Sequence, residues 1–260
     1  MVNVYKDIIT DSDIASLLEY FRVVDDRTDS RPDVVSKHPQ WDKDQWPQDI
    51  IKRILDQVLD KEYQVEEVIF NHSKISFGLH ADSGVLDQPI YKAILIPLEV
   101  TANSGTAFFN NHWLFPSAKF TRQRFDPLDY TVFDINNYPV KVNLKEFLQN
   151  RDLNLFPNYT DTYIKNLIDT RLNNKGYTKT DVRTDQYEKI KGYDPKKTID
   201  PTVYDQHLNH IAYDDLQGLS LDQIVPWVPG EAIVFDRTQL HCATSGHTSK
   251  TGMTIFTDLG

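Results

Sequence analysis

This 260-residue chain has one cysteine, no long apolar run and too few cationic residues to balance its acidic ones. A single cysteine excludes an intrachain disulfide and suits a reducing compartment. No stretch approaches the ~18 apolar residues of a transmembrane helix. The opening Met1-Val2-Asn3-Val4-Tyr5-Lys6-Asp7 lacks the apolar centre of a signal peptide. A cytoplasmic protein is the expectation, with no membrane partner. Lys and Arg total 28 against 38 Asp and Glu, a net charge of −10. That balance argues against a nucleic-acid partner, which needs a basic face. Internal repeats and low-complexity tracts are absent too. What is present is ample core material, since 40% of the residues are hydrophobic, enough for one sizeable domain.

The stretch with most chemical content is Gly78-Leu79-His80-Ala81-Asp82. It is answered far downstream by Pro229-Gly230-Glu231-Ala232-Ile233-Val234-Phe235-Asp236 and then Leu240-His241. A bare His-x-Asp arises by chance about once in a chain of this composition, so the flanks must carry the weight. Val68-Ile69-Phe70 and Ile75-Ser76-Phe77 read as strands that deliver His80 at a strand end with Asp82 just past it. Residues i and i+2 of a strand share a face, so both side chains can look into one cavity. Downstream, Pro-Gly marks a turn and Ala232 to Phe235 a buried strand, with His241 at or just beyond its end. Two imidazoles and one carboxylate form the facial triad that binds non-haem Fe(II) and leaves three coordination positions open.

These residues resemble the Fe(II)/2-oxoglutarate-dependent dioxygenases, whose core is a double-stranded β-helix, or jelly roll. In that family a His-x-Asp pair opens the core, and a second His follows a Pro-Gly-acidic-x-x-x-Phe strand. A cation about ten positions past that His holds the distal carboxylate of 2-oxoglutarate. Here Lys250 lies nine past His241 and enters Met253-Thr254-Ile255-Phe256-Thr257. The family's usual residue is Arg, followed two later by Ser, whereas this chain has Lys250 and Gly252. Lysine is a point charge and lacks the guanidinium fork. Lys92 is a second candidate anchor, because some relatives use a Lys on that strand. Thr254 or Ser76 could add a hydrogen bond to the same carboxylate. The resemblance also covers Tyr91-Lys92-Ala93-Ile94-Leu95-Ile96-Pro97-Leu98 and Ser104-Gly105-Thr106-Ala107-Phe108-Phe109, and in all roughly residues 68–113 and 226–258.

The resemblance implies a mainly β fold with flanking helices (α+β) around a jelly-roll, cupin-like core. It implies His80, Asp82 and His241 as catalytic metal ligands, Fe(II) as cofactor, and 2-oxoglutarate with O2 as co-substrates. The co-substrate would be anchored by Lys250 or, alternatively, by Lys92, with Thr254 as a candidate second donor. The implied reaction hydroxylates a small polar substrate and releases succinate and CO2. Halogenating relatives lack the carboxylate, so Asp82 favours hydroxylation, demethylation or desaturation. A cupin-like metalloenzyme or binding protein could use the same three ligands without 2-oxoglutarate. A jelly-roll binding module with His80 and His241 as ordinary core histidines is a further alternative.

The expected organisation is a single domain over 1–260, with residues 1–62 as helical support and 63–113 and 226–260 as core strands. Thr10 or Asp11 caps a helix through Phe21, with Ile14, Leu17, Leu18 and Phe21 on one face. Pro47 suits the first turn of a second helix, in which Ile50, Ile51, Ile54, Leu55, Val58 and Leu59 recur at helical spacing. The triad's His residues are 161 positions apart, so about 114–225 reads as an insertion holding a possible further core strand and a lid. Within it a strand is expected at Tyr130–Phe133, and helices near 143–149 and 160–174. Between Lys141 and Lys197 there are twelve Lys or Arg and eight Asp or Glu. This excess suits either a cationic lid over a polar or anionic substrate or an ordinary solvated surface. Arg122 and Arg124 are further candidates for an acidic group. His207 and His210 are spaced like helical metal ligands, but no third ligand accompanies them. His112 could line the pocket mouth or simply pack. His247 sits in a turn-like link, and Cys242 should point away from the cavity as a buried thiol.

Overall fold

Local chemistry fixes the first elements. The computed structural model describes residues 2–24, 27–31, 34–39, 47–82, 90–101, 104–113, 118–120, 129–136, 139–173, 180–182, 187, 189–246 and 249–260. After strand β1 (Asn3–Tyr5), helix α1 (Asp11–Val23) begins at a reciprocal capping box. Thr10 Oγ1 accepts the Asp13 N–H at 3.2 Å, and the Asp13 carboxylate accepts the Thr10 N–H at 2.9 Å. At the other end the buried Lys37 ammonium donates to the carbonyls of Phe21 and Val24, the latter at 2.6 Å. These are acceptors that the end of a helix leaves open. Strands β2 (Arg27–Arg31) and β3 (Val34–Lys37) precede helix α2 (Gln48–Val58). Pro47 stands just before α2, and Ile51, Ile54, Leu55 and Val58 form its buried stripe.

The core strands then follow. They are β4 (Tyr63–Ser73), β5 (His80–Ala81), β6 (Ile90–Val100) and β7 (Gly105–His112). Shorter elements come next: β8 (Ala118–Phe120), β9 (Asp129–Phe133), β10 (Pro139–Asn143), α3 (Leu144–Asn150), α4 (Asp161–Asn173) and β11 (Thr180–Val182). The core resumes with β12 (Leu221–Pro226), β13 (Ala232–Asp236), β14 (Gln239–Ala243) and β15 (Lys250–Leu259). One sheet has the order β1-β13-β6-β15-β4-β3-β2, and the other contains β8-β5-β14-β7-β12. Their pairings are antiparallel. Along the chain β4, β5, β6 and β7 alternate between the sheets, β12 pairs back on β7, and β13, β14 and β15 alternate again. This strand order is that of a double-stranded β-helix.

Strand alternation sorts the core into layers. Ala93 and Leu95 of β6, Phe235 of β13, Phe256 of β15 and Phe108 of β7 pack between the sheets. Their neighbours Ile94, Ile96, Val234, Met253 and Ile255 face outward and pack with Leu17, Ile51 and Ile54 of the N-terminal helices. On the far side of the second sheet, Phe109, Leu240 and Cys242 pack with Ile199, Leu208, Leu216 and Leu219. Part of the expected insertion is therefore a covering layer for this sheet. Residues 123–181 make a separate compact unit, in which Val132, Leu144, Phe147, Phe156, Ile164 and Ile168 are buried together. The expected strand and the two expected helices of that segment appear as β9, α3 and α4.

One element differs from the sequence reading. Residues 75–77 are not a strand: Ser73 Oγ donates to the Ile75 carbonyl at 2.7 Å and accepts its N–H at 3.2 Å. That side chain competes locally with the ladder and ends β4 early. The core resumes at Leu221 with β12, within the stretch read as an insertion holding a possible further core strand. Among the described residues no helix is long and apolar enough to cross a membrane.

Candidate functional site

His80, Asp82 and His241 come together. Each offers a ligand atom, and those atoms lie within 4.8 Å of one another. His80 on β5 and His241 on β14 are direct register partners, which sets their rings 4.2 Å apart at 55°. Asp82 follows β5, with Oδ2 3.1 Å from His241 Nε2 and Oδ1 3.7 Å from His80 Nε2. Adjacent ligands at about 2.1 Å from one metal stand about 3 Å apart, so little movement would close this set around an ion. Two nitrogens and one carboxylate oxygen match a non-haem Fe(II) centre. Among the described residues no other three such side chains converge.

The imidazoles are oriented in the same way. His80 Nδ1 lies 2.7 Å from the Gly78 carbonyl, and His241 Nδ1 lies 2.9 Å from the Gln239 carbonyl. A carbonyl can only accept, so each Nδ1 is the donor nitrogen, and Nε2 is the nitrogen directed toward Asp82 and the one open to a metal. His241 is buried against Phe108 and Phe235, at ring distances of 5.8 and 4.8 Å, which fixes its plane.

Asp82 is held by Arg237, a residue with no signal in the sequence beyond its place after Phe235-Asp236. The Asp82 N–H donates to the Arg237 carbonyl at 3.0 Å, and Arg237 Nε reaches back to the Asp82 carbonyl at 3.4 Å. The buried guanidinium also pairs with Glu66, pairs with Asp258 at 3.1 Å, and covers the Phe256 ring at 5.0 Å. A cation tied to β4 and β15 thus fixes the backbone that carries the carboxylate.

The other candidates divide. Lys250 is 3% exposed and shares the inward face of β15 with Gly252, Thr254 and Phe256. Its Nζ lies 4.4 Å from the centre of the Trp227 ring and 5.9 Å from that of Phe77. No carboxylate among the described residues is within ion-pair distance of it. Burial pushes its pKa down to about 8, opposed by a smaller effect of Cys242. Lys92 is placed differently. It shares the outward face of β6 with Ile94 and Ile96 and pairs with Asp236 at 2.5 Å. Thr254 is half-buried on the inward face, and Ser76 Oγ already donates to the Thr244 carbonyl at 2.8 Å.

The remaining described histidines stand apart from the triad. His112 is half-buried with Nδ1 3.0 Å from Thr238 Oγ1, and burial lowers its pKa against a smaller opposing effect of Asp236. The His207 carbonyl accepts the Ser245 N–H at 2.7 Å. His210 is exposed, with Nε2 3.4 Å from the Phe77 carbonyl. Cys242 is fully buried away from the triad, among the residues of the covering layer, and burial pushes its thiol up to about 12. Arg122, Arg124 and His247 lie outside the described residues.

No protein-family model matches this chain, and no curated protein matches it by sequence. Solved structures do. One is HygX from Streptomyces hygroscopicus with nickel and 2-oxoglutarate bound, at 10% identity and TM-score 0.45 over 99% of this chain and 82% of that one. Another is a 2OG-Fe(II) oxygenase-family oxidoreductase from Burkholderia pseudomallei, at 8% identity and TM-score 0.42 over 99% and 84%. A third is the viral collagen prolyl hydroxylase of Paramecium Bursaria Chlorella virus-1, solved as its 2-oxoglutarate complex, at 8% identity and TM-score 0.41 over 100% and 96%. At such low identity no residue role transfers from them. The solved structures to which this jelly-roll chain is similar thus include Fe(II)/2-oxoglutarate oxygenases.

Proposed function

We propose that this protein is an Fe(II)- and 2-oxoglutarate-dependent oxygenase that hydroxylates a small polar molecule. One observation carries the reading. The convergent His80, Asp82 and His241 and the buried Lys250 ammonium, which has no carboxylate partner among the described residues, both face the space between the two sheets. A metal site alone would serve a cupin-like protein equally well. A desolvated cation on the inward wall with no described carboxylate in reach calls for an anion, because an unpaired buried charge is costly.

The roles follow from chemistry. His80, Asp82 and His241 would hold Fe(II) through Nε2, a carboxylate oxygen and Nε2, leaving one face of the ion open. Lys250 would take the distal carboxylate of 2-oxoglutarate, with Thr254 beside it on the same strand face. When bound, the iron supplies the oxidising chemistry: O2 and 2-oxoglutarate are consumed, succinate and CO2 are released, and one oxygen atom enters a substrate C–H bond. The protein's own work is placement. The Gly78 and Gln239 carbonyls keep both imidazoles in the metal-binding tautomer, and Arg237 keeps Asp82 in reach.

Anaerobic addition of 2-oxoglutarate to the Fe(II)-loaded protein tests this. The expected result is a weak visible charge-transfer band, lost in Asp82→Ala and His241→Ala, together with succinate release once air is admitted. A protein that binds Fe(II) but develops no band and no succinate overturns the reading.

A further inference from the structure

We infer that Trp227 is a positioning residue for the co-substrate, an aromatic shelf that makes a lone lysine serve as a carboxylate anchor. The inference rests on the oxygenase reading and names a component of that site. Three features place the indole. Its N–H donates to Thr106 Oγ1 at 2.9 Å, and its backbone N–H donates to the Ser104 carbonyl at 2.9 Å. On β15, Gly252 makes room for it: a Cβ there would sit 3.1 Å from both Cη2 and Cζ3 of the ring. The indole face is thereby fixed 4.4 Å from Lys250 Nζ.

The physical need is specific. An arginine anchor is held by its own planar fork, which can bind a carboxylate with two parallel hydrogen bonds. An ammonium has three equivalent donors and a flexible stem, so burial alone neither orients it nor keeps it charged. The electron-rich face of tryptophan attracts the cation. It occupies one side of Nζ and leaves the other N–H groups for an anion. Cation–π attraction also offsets part of the desolvation that lowers the Lys250 pKa. Nearby on the chain, the buried Ser104 Oγ has no hydrogen-bond partner among the described residues. It is two residues before Thr106 and supplies an unused donor in this part of the core. Gly252 and Lys250 are thus parts of one arrangement with Trp227.

The test compares 2-oxoglutarate with pyruvate, a keto acid that lacks the distal carboxylate. Calorimetric titration of each into the anaerobic Fe(II)-loaded protein reads binding without turnover. Trp227→Leu is expected to weaken 2-oxoglutarate about ten- to thirtyfold while leaving pyruvate within about threefold, as loss of a desolvated cation–π contact predicts. Trp227→Phe, which keeps an aromatic face, should restore most of the difference. Gly252→Ala, which crowds the indole at Cη2 and Cζ3, should also weaken 2-oxoglutarate selectively, so the idea stays testable if Trp227→Leu does not fold. In a Lys250→Met background Trp227→Leu should add no further loss. Unchanged 2-oxoglutarate binding in the Trp227 and Gly252 variants, or equal losses for both keto acids, would overturn the positioning role. Wild-type protein that binds neither keto acid would instead sink the oxygenase reading on which the inference rests.

Discussion

Replacing Lys250 by Met should make the metal-free protein more stable and, on the proposed function, weaken its binding of 2-oxoglutarate. Burial lowers the ammonium's pKa from 10.5 to about 8. At about 1.4 kcal/mol per pH unit, keeping the charge inside costs on the order of 3 kcal/mol at neutral pH. The side chain is almost wholly buried, so solvent screening scarcely reduces that figure. The Trp227 face returns on the order of 1–2 kcal/mol. Methionine fills similar space with no charge. The expected net gain is therefore roughly 1–2 kcal/mol, read by urea denaturation near pH 7. Its pH dependence has a fixed sign. The unfolded chain holds this proton up to 10.5 and the folded chain only to about 8, so between those values the unfolded state binds more protons. Wild-type stability then rises with pH through that window, and its contribution is lost again as pH falls through about 8. The advantage of Met should be flat below about pH 8 and shrink steadily above it. A variant less stable than wild type at neutral pH, or a difference indifferent to pH, would refute the description of Lys250 as a desolvated cation with no carboxylate partner among the described residues.

Arg237→Leu should cost about 3–5 kcal/mol, because it strands Glu66 and Asp258 without their shared cation and frees the Asp82 backbone. Thermal unfolding measures the loss, and equilibrium dialysis with Mn(II) should register about tenfold weaker metal binding; wild-type values in both would count against the clamp. Lys37→Met should cost about 1–3 kcal/mol by leaving the Phe21 and Val24 carbonyls at the end of α1 without their donor. Mn(II) affinity should be untouched there, since α1 packs on the outward face of the sheet, and a fall in metal affinity would contradict that separation.

What could be read from the sequence was what depends on near neighbours. The Thr10–Asp13 capping box and the apolar stripe of α2 are decided within one or two helical turns, so the residue pattern contains the answer. The same holds for His80 and Asp82, whose shared orientation needs only their i, i+2 spacing. His241 required more, namely that β14 pair with β5, whereas the Pro229-Gly230 turn leads into β13, which pairs with β6 in the other sheet. The Ile75–Phe77 strand failed for a local reason of another kind, since one serine hydroxyl outcompeted the ladder. Arg237 was illegible because its partners, Glu66, Asp258 and Asp82, lie on three distant segments with nothing in common. Lys92 exposes the limit of reading residue type without face. Its charge suits an anchor, but its parity with Ile94 and Ile96 turns it outward to Asp236.

The two differences from the pattern of the oxygenases that this sequence resembles looked independent in the sequence, a lysine at position 250 and a missing hydroxyl at Gly252. In three dimensions a side chain at 252 and the indole of Trp227 compete for one volume, because a Cβ there already meets the ring at 3.1 Å. An indole in that volume lies against position 250, where a compact ammonium fits its face at 4.4 Å. A guanidinium would bring a broader planar head to the same shelf and, with its pKa above about 12, would stay charged at every accessible pH. The lysine, at about 8, does not. A protein built this way should bind a dicarboxylate keto acid well at neutral pH and progressively lose it in mild alkali, a sensitivity that an arginine anchor would not confer.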